Sequence, residues 1–160
     1  MNIKTVILLL TLTVLINGCL FTNPSDSSDE GGDTKPLRIK TSASDIYYDP
    51  ASVVESDISR NVLELTTSYG GGCEVHDFEL YWDGLFMESY PVQVNLQLSH
   101  NSHNDMCRAL ITDSLYFDLT LLKTAYSSGY QTAQGEIIIH IYEPDRTNTK
   151  RHTIHYTFNR

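Results

Sequence analysis

The most regular stretch of the chain follows Pro91, where Val92, Val94, Leu96 and Leu98 alternate with Gln93, Asn95, Gln97 and Ser99. A period of two puts the aliphatic side chains on one face of a strand and the polar ones on the other, as in a sheet with a core side and a water side. The same alternation runs through His76–Trp82, with His76, Phe78, Leu80 and Trp82 opposite Asp77, Glu79 and Tyr81. It recurs in Glu136–Tyr142 and His152–Phe158, whose intervening polar turn predicts a terminal hairpin. Val62–Tyr69 is rich in strand formers and is stopped by Gly70-Gly71-Gly72. Leu37–Lys40 predicts a short half-buried strand, and Cys107–Thr112 and Leu115–Leu119 predict two more, separated by Asp113-Ser114. Asp83-Gly84 is a hairpin signal from which Leu85-Phe86-Met87 returns. Thr120–Tyr126 suits one or two helical turns with Leu121, Leu122 and Tyr126 inward, ended by Ser127-Ser128-Gly129. Ala51–Asp57 has no period and reads as loop. Ser99–Asp105 reads as a polar loop holding His100 and His103.

Seven to nine short strands with closely spaced turns predict an all-β domain over residues 37–160, an antiparallel β-sandwich or partly open barrel with one short helix. Strands do not alternate with long helices, which argues against a nucleotide-binding α/β fold. No internal repeat is visible.

The first residues follow a different pattern. Met1–Gly18 carries Lys4 and then an uncharged apolar run, Thr5–Ile16, too short to cross a bilayer comfortably and laid out like a signal peptide. Asn17-Gly18-Cys19 closes it. A small residue directly before a cysteine resembles the lipobox of bacterial lipoproteins. That resemblance implies cleavage before Cys19, diacylation of its thiol (palmitate among the acyl groups) and a cell-envelope location. Leu20 resembles the context that sorts such proteins to the outer membrane of a Gram-negative host. Residues 19–36 then read as the lipidated cysteine and an acidic tether, Asn23–Asp33, with almost nothing to bury.

Charge narrows the partners. The chain has 11 Lys and Arg against 20 Asp and Glu, a formal net charge of −9. Nucleic acid is disfavoured, because phosphate binding needs clustered cations. Adhesion to anionic headgroups is disfavoured for the same reason, which leaves acyl chains to make the membrane attachment. The expected partners are therefore the membrane, through the lipid, and an envelope protein or glycan.

With Cys19 assigned to lipid, Cys73 and Cys107 are an even pair, and in an exported chain a disulfide is their default. Cys73-x-x-His76 and His100-x-x-His103-x-x-x-Cys107 also carry residue types that zinc prefers. Zinc could use both thiolates, or the disulfide could stay intact while His76, His100 and His103 hold a metal together. His152 and His155 fall on opposite faces of a strand, and packing explains His140.

The triple glycine can serve a turn or bulge with positive φ, or offer backbone amides to an anion. It lacks the Lys-Ser/Thr pair of a phosphate-binding loop. Neither a nucleophile elbow nor a His-Glu-x-x-His pair is present, and the carboxylates read as surface groups, with an acid–base pair such as Glu79 and Asp83 as the alternative. Tyr47, Tyr48, Tyr69, Tyr81, Tyr90, Tyr126 and Tyr130 could form an aromatic binding face or pack across a sheet. The expectation is a non-enzymatic binding module without a cofactor, the alternative being a zinc-type metal-binding protein.

Overall fold

A computed structural model describes residues 33–159. Cys19, the signal-peptide reading and most of the tether lie outside the described residues. The described strands are β1 (Thr34–Pro36), β2 (Arg38–Ile39), β3 (Ala51–Ser59), β4 (Val62–Gly71), β5 (Asp77–Trp82), β6 (Val92–Asn101), β7 (Ala109–Asp118), β8 (Gly135–Tyr142) and β9 (Arg151–Phe158), with helix α1 (Thr120–Tyr130) between β7 and β8. They form two sheets, ordered β1-β7-β4-β3 and β2-β5-β6-β8-β9, which face each other as an open sandwich rather than closing into a barrel. No helix among the described residues is long and apolar enough to cross a membrane.

The alternating strands supply the core. Leu63, Leu65, Leu115 and Phe117 from the first sheet meet Phe78, Leu80, Trp82, Val94, Leu96, Leu98, Ile137, Ile139, Ile141 and Tyr156 from the second. Burial of this kind contributes roughly 1.5–3 kcal/mol per large side chain. Leu37, between β1 and β2, is buried where the chain crosses from one sheet to the other. Two polar ties reinforce the junction: the Val53 amide donates to the buried Glu143 carboxylate at 3.0 Å, and the Tyr156 hydroxyl donates to Asn61 Oδ1 at 2.7 Å.

Several local expectations change. The sheets are mixed rather than purely antiparallel: β1 pairs β7, β2 pairs β5 and β6 pairs β8 in parallel, the last through the crossover that holds α1. Thr34–Pro36, read as tether, is strand β1. Ala51–Ser59 is the edge strand β3 rather than a loop. It lacks a clean period because its register shifts between Val53 and Glu55 and because it buries only Val53 fully. The two strands around Asp113-Ser114 are the single strand β7, since both residues stay in register with Thr67 and Thr66. Leu85–Met87 forms no returning strand, and β5 pairs instead with β6. The helix runs through Ser127–Gly129 to Tyr130 and ends on Gln131 in the left-handed region. Of Leu121 and Leu122, only Leu122 is buried.

Candidate functional site

The predicted site residues gather at one end of the sandwich, where β4 runs into the loop before β5 and β6 runs into the loop before β7. The sulfurs of Cys73 and Cys107 are bonded across these loops, with Cα atoms 5.9 Å apart. Between them lies Asp105, which sequence reasoning left inside a polar loop. Its Oδ2 accepts from the amides of Gly72, Cys73 and Glu74 at 2.8, 2.9 and 3.1 Å, and its Oδ1 accepts from the Cys107 amide at 2.8 Å. Three successive amides aimed at one oxygen form an anion nest. The triple glycine thus serves both of its expected roles, and the anion it helps to bind is the chain's own carboxylate. Gly71 has φ +154° and Gly72 φ +116°, which lets the backbone curl around Asp105. The amides of Cys107 and Cys73 lead in holding the Asp105 carboxyl well below the usual carboxylate range, against the opposing effect of desolvation.

His76 and His100 stand behind this nest. The Asp105 carboxylate lies 3.2 Å from His76 Nε2, with both side chains almost wholly covered. His76 Nδ1 is 2.9 Å from His100 Nε2, and His100 Nδ1 donates to the Asp49 carbonyl at 3.0 Å. Asp49 Oδ2 in turn accepts from the Ser102 hydroxyl at 2.6 Å and its amide at 2.7 Å, which keep this carboxyl acidic. The line from the Asp49 carbonyl to the Asp105 carboxylate ends on an acceptor at each side and contains three contacts. Each contact needs one proton, whereas two neutral imidazoles carry two. With both imidazoles neutral, one of the three contacts is therefore left without a proton. Burial lowers the pKa of His100 and so favours its neutral form.

His100 is fully buried on β6 rather than in a loop, its ring stacked on Phe78 with centroids 4.2 Å apart. Tyr69 packs on both imidazoles, at 4.8 Å from His76 and 5.3 Å from His100. Each ring nitrogen of the pair faces a close partner, so neither ring presents a free lone pair to the loops. His103 does not join them; its Nε2 lies 2.7 Å from Asp77 on the surface. The three histidines named in the metal reading are thus divided between two places. Among the described residues, the one group of potential ligand atoms close enough for an ion is Cys73, Asp105 and Cys107, where both thiols are already in the disulfide.

Outside the nest, Val75 and Met106 on these two loops and Leu110 at the start of β7 are 82, 88 and 80 % exposed. A cavity of about 570 Å³ is lined by Tyr47, Asp77, Glu79, Asn101 and His103, together with Lys35 and Arg38. Its charged groups are engaged within the protein: Arg38 with Glu79 at 3.0 Å, His103 with Asp77, and Lys35 with the Phe78 carbonyl at 3.1 Å. Tyr81 donates to Glu79, and burial followed by that contact pushes its hydroxyl up to about 12. This arrangement suits binding, with fixed polar groups around a shallow hollow, more than it suits acid–base chemistry.

The remaining candidates scatter. His140 is buried between Thr153 and Gln93, His152 contacts Glu143, and His155 contacts Glu136 on the opposite face. The tyrosines do not form one face: Tyr69 backs the histidines, Tyr47 borders the cavity, and Tyr90, Tyr126 and Tyr130 stand at the other end of the sandwich.

No family model matches the chain, and no curated protein matches it in sequence. Similar folds are found among solved structures. A NigD-like immunity protein from Bacteroides caccae has a TM-score of 0.56 at 18 % identity, over 78 % of this chain and 64 % of that one. A protein of unknown function from Bacteroides vulgatus has a TM-score of 0.51 at 12 % identity, over 78 % and 56 %. A protein with a provisional lipoprotein name from Bacteroides fragilis has a TM-score of 0.50 at 14 % identity, over 79 % and 70 %. The chain therefore spans less than two thirds of the first two and somewhat more of the third. At these identities the similarity is one of fold.

Proposed function

We propose that this chain is a lipid-anchored protein of the cell envelope that acts, without catalysis, by binding a polypeptide partner at the loops that carry the disulfide. One observation supports the binding site above others. Val75 and Met106, on loops that are fixed by both a covalent bond and a buried carboxylate, and Leu110, at the adjoining start of β7, are large apolar side chains left in water. Exposed apolar groups on a pre-ordered frame are what an interface needs, because little loop entropy remains to be lost on association. With a net charge of −9, the complementary partner is one with basic groups around an apolar centre. The envelope location rests on the lipobox reading of Cys19, and the fold it shares with a protein bearing a lipoprotein name is consistent with it. An immunity role of the kind in the name of the Bacteroides caccae neighbour would be one use of such binding.

Two measurements test this reading. Labelled palmitate should enter the full chain and be lost in Cys19→Ser; a wild type that takes up no label overturns the anchor. A polypeptide retained by the immobilised protein should be lost from a Val75→Glu/Leu110→Glu variant of unchanged Tm. Equal retention by both would move the binding surface away from the disulfide loops.

A further inference from the structure

The end of the sandwich remote from the disulfide carries a second cleft, and its lining has a different chemistry. β6 begins at Val92 beside this cleft and ends at Asn101 beside the disulfide loops, so about ten residues of strand, roughly 30 Å, separate the two surfaces. The cleft has a volume of about 360 Å³, at the small end of ligand-binding cavities. Two of its walls are aromatic. Tyr90 stands fully in water at 100 % exposure. Tyr126, from α1, is held by an edge contact with Phe158 at 5.3 Å and by Tyr130 at 4.6 Å. Gly135 fixes that second wall: a Cβ there would fall 2.4 Å from Tyr126 Cε1 and 3.0 Å from Phe158 Cζ, so the ring lies directly on bare backbone.

The other walls are Gln134, Glu136, Thr157 and Asn159. Among the described residues, none bonds to the side chains of Gln134, Thr157 or Asn159; the bonds made by Gln134 and Asn159 run through their main chains. Glu136 uses Oε1 on His155 at 2.8 Å, which leaves Oε2 to accept elsewhere. Two planar amides, a hydroxyl and a carboxylate oxygen, none committed to another side chain, thus line the same cleft as two tyrosines.

We infer that this cleft binds a neutral saccharide. A pyranose ring has an apolar face of C–H groups, which an exposed aromatic ring covers, and a rim of hydroxyls that both donate and accept, which side-chain amides and a carboxylate satisfy in pairs. Alternative ligands fit less well. Phosphates and acidic sugars would meet Glu136, and no Lys or Arg lines the cleft. A purely apolar ligand would strip water from the amides without replacing their bonds. The inference goes beyond the protein-binding reading and does not depend on it, because the two surfaces share no residue.

The test is a titration of the isotopically labelled full chain with cellohexaose, maltohexaose, mannohexaose and chitohexaose, followed by amide chemical shifts. The expected result is a saturable shift at Tyr90, Gln134 and Gly135 with at least one of them. Tyr90→Ala should weaken that binding about tenfold, the loss of one stacking platform, while Tyr90→Phe keeps it. Because Tyr90 touches solvent on every side, its replacement leaves the rest of the spectrum in place and separates lost binding from lost folding. No shift at these three residues with any of the four sugars at about 5 mM, well above a millimolar Kd, overturns the inference. So does a response confined to the disulfide loops.

Discussion

Cys73 and Cys107 are tied twice, once through their sulfurs and once through their backbone amides, which both donate to the carboxylate of Asp105. The two ties act on different states of the chain. A disulfide that closes a 34-residue separation works mainly by restricting the unfolded ensemble, for roughly 3–4 kcal/mol. The carboxylate works only in the folded state, by satisfying amides that have no other partner in these loops.

The two ties are therefore expected to separate experimentally. A Cys73→Ser/Cys107→Ser variant should lose about 3–4 kcal/mol in chemical denaturation yet keep slow hydrogen exchange at Gly72, Cys73 and Glu74. Asp105→Ala, with the disulfide intact, should show the reverse: fast exchange at those three amides and a smaller global loss. Asp105→Asn, which keeps an oxygen but not the charge, should fall between wild type and alanine. Unchanged exchange in Asp105→Ala would remove the carboxylate from this role.

Stability should fall as the pH falls, for reasons that share a sign. Asp105 and Asp49 sit below their ordinary value of 3.8, so their contribution is present above 3.8 and is lost as pH drops beneath it towards the lowered values. His100 sits below 6.5 because burial disfavours its charged form, so its contribution is present above 6.5 and is lost as pH drops below that. Urea midpoints measured from about pH 7 to pH 3 should decline in two stages, the first attributable to His100 and the second to the carboxylates. A midpoint that rises on acidification would contradict the arrangement.

Zinc should not bind in a stoichiometric, high-affinity way to the oxidised protein. The facing nitrogens of His76 and His100 are 2.9 Å apart, too close to admit an ion between them with ordinary Zn–N distances of ~2.0–2.1 Å on both sides in a tetrahedral site. His103 lies with Asp77 instead. Calorimetric titration of zinc and intact mass after alkylation without reduction check this together. A one-to-one zinc complex whose thiols alkylate after chelation would restore the metal reading.

What the sequence made legible follows from which residues carry a one-sided pattern. Val92–Leu98 and Ile137–Ile141 alternate because one face is buried, and their strands lie where the pattern puts them. Edge strand β3 has one fully buried side chain and a register shift, so no period was there to read. Asp113-Ser114 resembles a turn by composition, but pairing with Thr66 and Thr67 holds it extended within β7. At the site, the disulfide pair was legible once Cys19 is assigned to lipid, which leaves two cysteines in an exported chain. Asp105 was not, since an acidic residue in a polar loop looks the same whether it faces water or fills a nest of amides. His100 was misplaced because Ser99 and His100 are polar by type yet occupy buried strand positions. The signal that could have found the nest was already visible: three glycines immediately before a cysteine, with an aspartate two residues before its partner.

The three glycines themselves should respond very differently to the same substitution. Gly70 is an ordinary strand residue in register with Leu110, and a Cβ on it would meet nothing within 4 Å, so Gly70→Ala should change stability by no more than about 0.5 kcal/mol. A Cβ on Gly71 would fall 2.6 Å from both Cε1 and Nε2 of His76 and 3.0 Å from Asp105 Oδ2. His76 cannot easily retreat, because its other nitrogen is held against His100 and Tyr69 packs on its ring. Overpacking of that kind, added to a φ that alanine rarely adopts, costs ~1–3 kcal/mol. Gly72→Ala keeps the backbone strain, but its nearest neighbour is the Ala109 methyl at 3.3 Å, so its loss should be smaller than that of Gly71→Ala. Thermal denaturation of the three variants ranks them directly. If Gly70→Ala were the most damaging, the nest would not be what the triple glycine is for.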